Sequence, residues 1–307
     1  MATLPPDHAE RMERVHLALD GLSVGDAFGQ RFFYCNPQEI AARRLPPAPW
    51  KYTDDTEMAL ALASVLNTHG EVDQDALAQA FTVRYRLDPH RGYGAGMHTL
   101  LPEVHRGRSW REASLELFRG EGSFGNGSAM RVAPVGAYFA DDLERAAQQA
   151  ALSAEVTHCH AEGIAGAIAI AVATAWAWQR HASGEEWPTS TLLEIAHQFT
   201  PPGVVRNGIE RAQRLALEEW NFTAAELLGN GSEVTCPDTV PFCLWIAARH
   251  LDDYCQALWN TVPVGGDVDT NAAIIGGIVA MATGRAAFPE DWRRMRESLL
   301  HNVQDES

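Results

Sequence analysis

Apolar residues recur at helical spacing along almost the whole chain. Between residues 58 and 66 they stand at i, i+4, i+7 and i+8, and between residues 164 and 172 they repeat every four positions with small residues between them. Both patterns are typical of one buried face of an α-helix. Roughly a dozen such segments can be counted, and no run alternates apolar and polar residues as a strand would. The sequence therefore predicts an all-α fold.

Turn-forming residues separate these segments, but no separation is long enough to be a linker between domains. The breaks fall at residues 46–49, 88–90, 120–128, 183–184, 201–203 and 229–237. We therefore expect residues 1–307 to form a single compact domain of orthogonally packed helices. The Ala- and Gly-rich segments 161–178 and 272–283 are expected at its centre, because small residues let helices approach closely.

Composition narrows the range of functions. The chain has 307 residues, of which 46% are apolar, and this is enough for a sizeable core. The net charge of −16 argues against a nucleic-acid-binding surface, which needs a basic stripe. A nucleotide-like ligand held by backbone amides and a metal ion remains compatible with this charge.

Three features favour a cytoplasmic protein that does not span a membrane. The five cysteines are odd in number and show no CxxC spacing, which favours reduced thiols. Residues 1–8 have neither the basic start nor the apolar core of a signal peptide. The apolar segment 161–178 is rich in Ala and Gly and shorter than the roughly 20 apolar residues of a spanning helix, so a buried helix is the better interpretation.

Two acidic motifs stand far apart in the sequence, Thr-Asp-Asp-Thr at 53–56 and Gly-Gly-Asp-Val-Asp-Thr at 265–270. Each places two acids and a threonine where an apolar helix begins. Adjacent carboxylates repel each other unless a positive charge lies between them, and oxygen ligands suit hard cations such as Mg²⁺ or Mn²⁺. Either motif alone is equally well explained as a helix cap. The two together favour an all-oxygen metal site that the fold closes.

A glycine-rich segment at residues 118–136 is a third candidate. Four glycines within residues 120–127 allow backbone N–H groups to turn toward one ligand, as they do in phosphate-binding loops. Phe118 and Phe124 flank this loop and can hold a flat base between them. The alternative is a surface loop beside two core phenylalanines. The segment matches neither the P-loop nor the dinucleotide-binding fingerprint.

Taken together, the motifs resemble those of the ADP-ribosylglycohydrolases, also called ADP-ribosyl-acceptor hydrolases. That family carries Gly-Asp-Ala-x-Gly, Thr-Asp-Asp-Thr, Gly-Asn-Gly-x-Ala-Met-Arg and Gly-Gly-Asp-x-Asp-Thr in this order. The chain has the four motifs at 25–29, 53–56, 125–131 and 265–270. The resemblance spans about residues 13–290, and the combination of four motifs is highly specific.

The resemblance implies an all-α fold with two Mg²⁺ ions, or Mn²⁺ in their place, at the base of a cleft. The implied substrate is ADP-ribose attached to a protein or a small molecule. The implied metal ligands are Thr53, Asp54, Asp55, Asp267, Asp269 and Thr270, with Asp54, Asp55 and Asp267 as catalytic carboxylates. The implied substrate-binding residues are Phe118, Gly122, Ser123, Phe124, Gly125, Asn126, Gly127, Ser128, Met130 and His158. From the sequence alone, His158 can also be a capping or core histidine.

The acceptor is less well defined. The segments 88–96 and 122–127 look most like the branch that releases ADP-ribose from serine. The arginine-specific branch, which includes the dinitrogenase-reductase-activating enzymes, is a less close match.

One position departs from the family pattern. The family usually has a glutamate four residues after Gly-Asp-Ala-x-Gly, where it reaches the metal site. Here that position is Phe33, and the nearest downstream acid is Glu39, which would reach the site only through a shifted loop. Phenylalanine can neither bind a metal nor transfer a proton. Two hypotheses follow, a metal-dependent hydrolase and an ADP-ribose-binding module whose catalysis has weakened. A purely structural protein would not be expected to retain all six metal ligands.

Overall fold

The computed structural model describes residues 4–33 and 35–299. Within that part the chain forms helices and short connections, and the only strand-like pairings are two isolated bridges, Trp50–Arg296 and Gly125–Thr235. The α-helices are α1 (His8–Gln30), α2 (Pro37–Ala41), α3 (Asp54–His69), α4 (Gln74–Leu87), α5 (Met97–His105), α6 (Trp110–Gly120), α7 (Gly127–Met130), α8 (Ala133–Tyr138), α9 (Leu143–Glu155), α10 (Ala161–Ser183), α11 (Thr191–Phe199), α12 (Val204–Arg214), α13 (Asn221–Leu228), α14 (Cys236–Arg249), α15 (Tyr254–Thr261), α16 (Val268–Thr283) and α17 (Glu290–Met295). The predicted all-α fold is confirmed. The described residues hold more helices than the dozen predicted, because elements such as α7 and α8 are too short to show a repeat.

Helices α1 and α16 cross in contact at the centre of the domain. A β-carbon at Gly25 would lie 2.1 Å from the carbonyl oxygen of Ala272, and one at Gly21 would lie 2.4 Å from that of Gly276. No side chain fits at such distances, so the glycines of α1 let the two backbones touch. This contact brings Asp26, which follows Gly25, close to the beginning of α16.

Helix α10 is the second central element. It packs against α8, α9, α11 and α16, and fourteen of its residues are buried. By length and composition α10 is apolar enough to cross a membrane, but 78% of its most apolar 18-residue stretch is buried inside the protein. It is therefore a core helix, as the small residues in segment 161–178 predicted.

The C-terminal segment holds the chain just before α3. The N–H of Trp50 donates to the carbonyl of Met295 at 2.7 Å, and the N–H of Glu297 donates to the carbonyl of Trp50 at 2.8 Å. The side chain of Glu297 accepts from the N–H of Tyr52 at 2.9 Å and from Arg91. These contacts fix the approach to the first turn of α3, where the Thr-Asp-Asp-Thr motif lies.

Candidate active site

The two acidic motifs meet at Asp26, a buried carboxylate of α1. Its oxygens accept from the N–H of Thr53 at 2.9 and 3.0 Å and from the N–H of Thr56 at 3.1 Å. They also accept from the hydroxyls of Thr53 at 2.9 Å and of Thr56 at 2.5 Å. Free N–H groups of a first helical turn normally need such a partner. Asp26 therefore caps α3 from another helix and fixes the direction in which the motif points.

Three acids from three helices converge at this point. Asp26, Asp55 and Asp269 each offer an oxygen within 4.8 Å of the other two. One oxygen of Asp55 lies 2.9 Å from the hydroxyl of Thr53, but the other is buried and has no partner among the described residues. A buried oxygen without a partner is uncommon and calls for an explanation such as an ion.

The electrostatics point the same way. Burial, and next the charge of Asp26, raises the pKa of Asp54 to about 8 and that of Asp55 well above its usual value. Burial also raises the pKa of Asp26 to about 6 and the pKa values of Asp267 and Asp269. Five carboxylates held so close keep their charges only beside a compensating cation. The unpartnered oxygen and the all-oxygen donor set fit a hard divalent cation such as Mg²⁺.

A cleft of about 540 Å³ lies above the acids. Most of the predicted site residues line it: Asp54, Asp55, Asp267, Asp269, Thr270, Phe118, Ser123, Phe124, Gly125, Asn126, Gly127, Met130 and His158. The structure places the other three behind the lining. Thr53 is buried at the start of α3, Gly122 packs against Cys159, and the hydroxyl of Ser128 donates to the carbonyl of Gly163 at 2.7 Å.

The glycine loop is tied to both the acids and the opposite wall. The side-chain amide of Asn126 donates to Asp267 at 2.7 Å and to the hydroxyl of Thr239 at 3.1 Å. The N–H of Asn126 donates to the carbonyl of Val234 at 3.2 Å, and the N–H of Cys236 donates to that of Phe124 at 3.0 Å. The loop therefore runs between the acidic motif of α16 and the segment that leads into α14.

The two phenylalanines of the loop are not core residues. Phe118 is 56% exposed and Phe124 is 38% exposed, and both line the cleft. Phe118 and Arg119 have left-handed backbone conformations, with φ of 53° and 65°. Such conformations are unfavourable for residues other than glycine and cluster at functional sites. The ring of Phe124 packs on His160, with centroids 5.0 Å apart, which leaves its remaining surface for a flat ligand.

His158 lies beneath the glycine loop. Its Nδ1 is 2.7 Å from the hydroxyl of Thr157. A β-carbon at Gly127 would come within 2.9 Å of the Nε2 atom of His158, so the loop needs glycine there. Burial, and next the charge of Arg131, holds the pKa of His158 well below its usual value. The imidazole is therefore neutral and faces the cleft as a hydrogen-bonding group.

Several residues of the site were not among those predicted. Asp26 is fully buried and does not line the cleft, but it positions the acidic motif of α3, and the Gly-Asp-Ala-x-Gly motif to which it belongs was the available signal. Glu233 and Val234 line the cleft, but no spacing marks them because their segment reaches the cleft only through the fold. Phe33 is 41% exposed and does not line the cleft. Glu39 does not line it either, because its carboxylate closes a capping box with Asn36 at the start of α2.

Comparisons with known proteins agree with this geometry. A model of the ADP-ribosylglycohydrolase family matches residues 7–305. The chain is 30% identical to human "ADP-ribosylhydrolase ARH3" over 80% of this chain and 74% of that protein. It is 25% identical to the "ADP-ribosyl-[dinitrogen reductase] glycohydrolase" of Rhodospirillum rubrum over 89% of this chain and 86% of that protein. A solved structure described as an "ADP-ribosylglycohydrolase-related protein complex" superposes with a TM-score of 0.66 at 25% identity, covering 94% of each chain.

Fold and site together define an all-α hydrolase of glycosyl bonds with an acidic cleft. The chain belongs to the ADP-ribosylglycohydrolase family, because the family model covers nearly its whole length. It is an enzyme of the ADP-ribosylhydrolase type, as its named relatives are.

Proposed function

We propose that the protein hydrolyses the glycosidic bond between the distal ribose of ADP-ribose and an acceptor, and that the reaction needs Mg²⁺ or Mn²⁺. One observation carries this proposal. Carboxylates from three helices meet around an unpartnered oxygen of Asp55, at one end of a cleft that also holds a glycine loop and two exposed phenylalanines. ADP-ribose combines ribose hydroxyls, a diphosphate and a flat base, and the cleft offers a matching group for each.

The residues have separate roles in this proposal. Thr53, Asp54, Asp55, Asp267, Asp269 and Thr270 would hold two divalent ions. When bound, the ions supply a fixed point for the ribose hydroxyls and polarise a water molecule. Cleavage at the anomeric carbon passes through an oxocarbenium-like state, whose positive charge is stabilised by nearby carboxylates. Asp54, Asp55 and Asp267 are the candidates to accept the proton of the attacking water, because all three line the cleft.

The rest of the cleft binds and orients the substrate. Backbone N–H groups around Gly125 and Gly127 are suited to the diphosphate, since loops of this kind bind anions through the main chain. The exposed rings of Phe118 and Phe124 are suited to stack on adenine. Asn126 links the two functions, because its amide contacts Asp267 while its backbone belongs to the loop.

A serine-linked, or similar O-linked, acceptor is our first choice. The support is that Gly92 and residues 94–96, which belong to the segment that resembles the serine-specific branch, line the cleft, and that Gly92 lies beside the carboxylate of Asp54. The N–H of Asp54 donates to the carbonyl of Arg91 at 2.8 Å, so this segment and the acidic motif are held together. Arginine-linked ADP-ribose is the second choice, and small-molecule conjugates are the third.

The test is release of ADP-ribose from two peptides, one modified on serine and one on arginine. We expect release from the serine peptide in Mg²⁺ or Mn²⁺, none after chelation with EDTA, and none with Asp269→Ala. Equal release with and without EDTA would exclude the cation-dependent reaction. Faster release from the arginine peptide would reverse the order of acceptors.

A second candidate function is an ADP-ribose-binding module with weakened catalysis. It is favoured by one observation, that neither Phe33 nor Glu39 brings a carboxylate to the cleft. A melting curve with ADP-ribose, with and without Mg²⁺, separates the two candidates when it is read beside the release assay. A ligand that binds only the native state at 100 times its Kd stabilises by about 2.7 kcal/mol. Stabilisation without release supports the binding module, and stabilisation with release supports the enzyme.

A further inference from the structure

We propose that Arg131 and Thr157 are positioning residues that fix His158 in the tautomer with its proton on Nε2. The cleft then presents an N–H donor to an oxygen of the ligand. This inference rests on the proposed ADP-ribose-binding function and adds that one atom of the cleft, Nε2 of His158, donates a hydrogen bond to the ligand. It depends on a chain of two short hydrogen bonds that begins in the core.

The first of these hydrogen bonds starts at Arg131, which is fully buried between α7 and α8. Its Nη2 donates to the hydroxyl oxygen of Thr157 at 2.8 Å and to the carbonyl of Ser153 at 3.0 Å. The guanidinium carbon lies 4.5 Å from the centre of the Phe81 ring, which fixes its plane. A guanidinium has donors and no acceptor, so it can only occupy a lone pair of Thr157.

Because the Thr157 oxygen accepts a hydrogen bond from Arg131, its hydroxyl hydrogen is left to donate to His158. Its hydroxyl oxygen lies 2.7 Å from Nδ1 of His158, and the threonine is fully buried. Among the described residues, that Nδ1 is the one atom at hydrogen-bonding distance that can accept the hydroxyl hydrogen. If Nδ1 carried a proton instead, two donors would face one oxygen and the hydroxyl hydrogen would be buried without an acceptor. An unmet buried donor is unfavourable enough to disfavour that arrangement by about tenfold or more.

The consequence appears at the other ring nitrogen. A neutral imidazole that accepts at Nδ1 carries its hydrogen on Nε2. No described residue is hydrogen-bonded to Nε2, which lies under the glycine loop, 3.3 Å and 2.9 Å from where β-carbons of Gly125 and Gly127 would be. Phosphate oxygens accept hydrogen bonds, so an N–H at this place attracts the ligand, whereas a lone pair would repel it.

The tautomer can be measured directly by ¹⁵N NMR on histidine-labelled protein. The chain has 12 histidines, so the signals of His158 are assigned by their loss in His158→Gln. We expect a neutral ring with Nε2 protonated, both before and after ADP-ribose is added. A ring protonated on Nδ1 in the parent protein would overturn the proposal, whatever its activity.

Two substitutions at residue 157 test whether the proton is used. Thr157→Val keeps the shape but removes the hydroxyl, and Thr157→Ser keeps the hydroxyl. We expect Thr157→Val to lose the single tautomer and to weaken ADP-ribose binding about tenfold, the effect of one hydrogen bond to a charged group. Thr157→Ser should keep the tautomer and bind within about twofold of the parent, a rescue that a general loss of packing would not give.

The outcomes separate this inference from the proposed function. If Thr157→Val changes the tautomer but binds ADP-ribose as the parent does, the positioning role is wrong. If Thr157→Ser binds as weakly as Thr157→Val, the effect is packing and the proposal also fails. If the parent binds no ADP-ribose at all, the proposed function fails. The inference then fails as well, because His158 has no ligand to contact, even if the NMR shows the expected tautomer.

Discussion

The acidic end and the aromatic end of the cleft are held in place by different physical means. At the acidic end, Asp26 and Asp55 are buried and tied to threonine hydroxyls and backbone N–H groups. At the aromatic end, Phe118, Phe124 and Val234 are exposed, and two of them have left-handed backbones, with φ of 53° and 54°. One end concentrates charge in the core, and the other leaves apolar surface in solvent.

The two ends therefore destabilise the ligand-free protein in different ways. The acidic end has an electrostatic cost, because its carboxylates repel one another and are removed from water. The aromatic end has a conformational cost, because left-handed residues other than glycine are unfavourable by about 1–2 kcal/mol each. A cation can relieve the first cost, whereas a stacked base covers apolar surface without changing the backbone strain. The following predictions test that distinction.

The largest effect is expected at Asp55. Asp55→Ala should reduce Mg²⁺-dependent ADP-ribose binding by at least about 100-fold, since a charge-assisted site loses a central ligand. In EDTA its melting temperature should equal or exceed that of the parent, because a repelling charge is gone. Titration calorimetry and melting curves measure the two quantities. Glu226→Ala, at an exposed acid outside the cleft, is the control, and parental binding by Asp55→Ala would contradict the two-motif site.

Phe33 tests whether the acidic end is complete. This residue follows α1, in which Gly29 packs against the backbone of Asp269, although the side chain of Phe33 itself does not line the cleft. If the missing glutamate limits the chemistry, Phe33→Glu should raise kcat about tenfold with little change in KM, because such a group acts mainly in the transition state. Steady-state release from both peptides measures this. Fast release by the parent, with no gain in the variant, would show that Asp54, Asp55 or Asp267 suffices.

The aromatic end should discriminate between ligands with and without a base. Phe124→Ala should weaken ADP-ribose about tenfold, because stacking on an aromatic ring contributes about 1–3 kcal/mol per base. Ribose 5-phosphate has no base to stack, so its affinity should change much less. Phe222→Ala removes another exposed phenylalanine outside the cleft and serves as the control. Equal weakening of both ligands would assign Phe124 to the framework.

The sequence predicted the acidic end better than the aromatic end, for a physical reason. Two motifs that each place paired acids before an apolar helix favour a metal site when they are taken together, so Asp54 and Asp269 could be proposed as ligands from the sequence, and both line the cleft. The capping of α3 by Asp26 depends on the contact between α1 and α3, which no local pattern contains. Likewise Val234 reaches the cleft only because its carbonyl pairs with Asn126.

The fold shows the same division. Helical periodicity predicted the long elements such as α3 and α10, because each has a continuous apolar face. It did not reveal that Gly122 and Ser128 turn behind the loop they belong to, since that depends on packing against Cys159 and Gly163. The sequence left open whether Phe118 is available to a ligand or lies in the core, because the left-handed turn that exposes it interrupts the pattern of α6.

The electrostatic cost predicts a dependence on pH. Burial raises the pKa of Asp26 to about 6 and that of Asp54 to about 8, above the value near 3.9 of an unfolded chain. Between about pH 4 and pH 8 the folded protein therefore binds more protons, and its stability falls as pH rises. In EDTA the melting temperature should drop by several degrees from pH 5 to pH 8. Mg²⁺ should raise the melting temperature more at pH 8 than at pH 5. Metal-free melting that is flat over this range would contradict the electrostatic account.

The conformational cost predicts the smallest effect, at Arg119. This exposed residue has φ of 65°, a conformation that glycine adopts without strain. Arg119→Gly should raise the free energy of unfolding by about 0.5 kcal/mol, because relief of about 1 kcal/mol of strain is partly offset by the greater freedom of glycine in the unfolded chain. Urea unfolding in EDTA measures the change. Arg86→Gly, at an exposed position within the regular helix α4, should instead lower stability by about 0.5–1 kcal/mol. If both substitutions destabilise equally, the left-handed turn beside Phe118 is not strained, and the aromatic end has no conformational cost to set against the electrostatic cost of the acids.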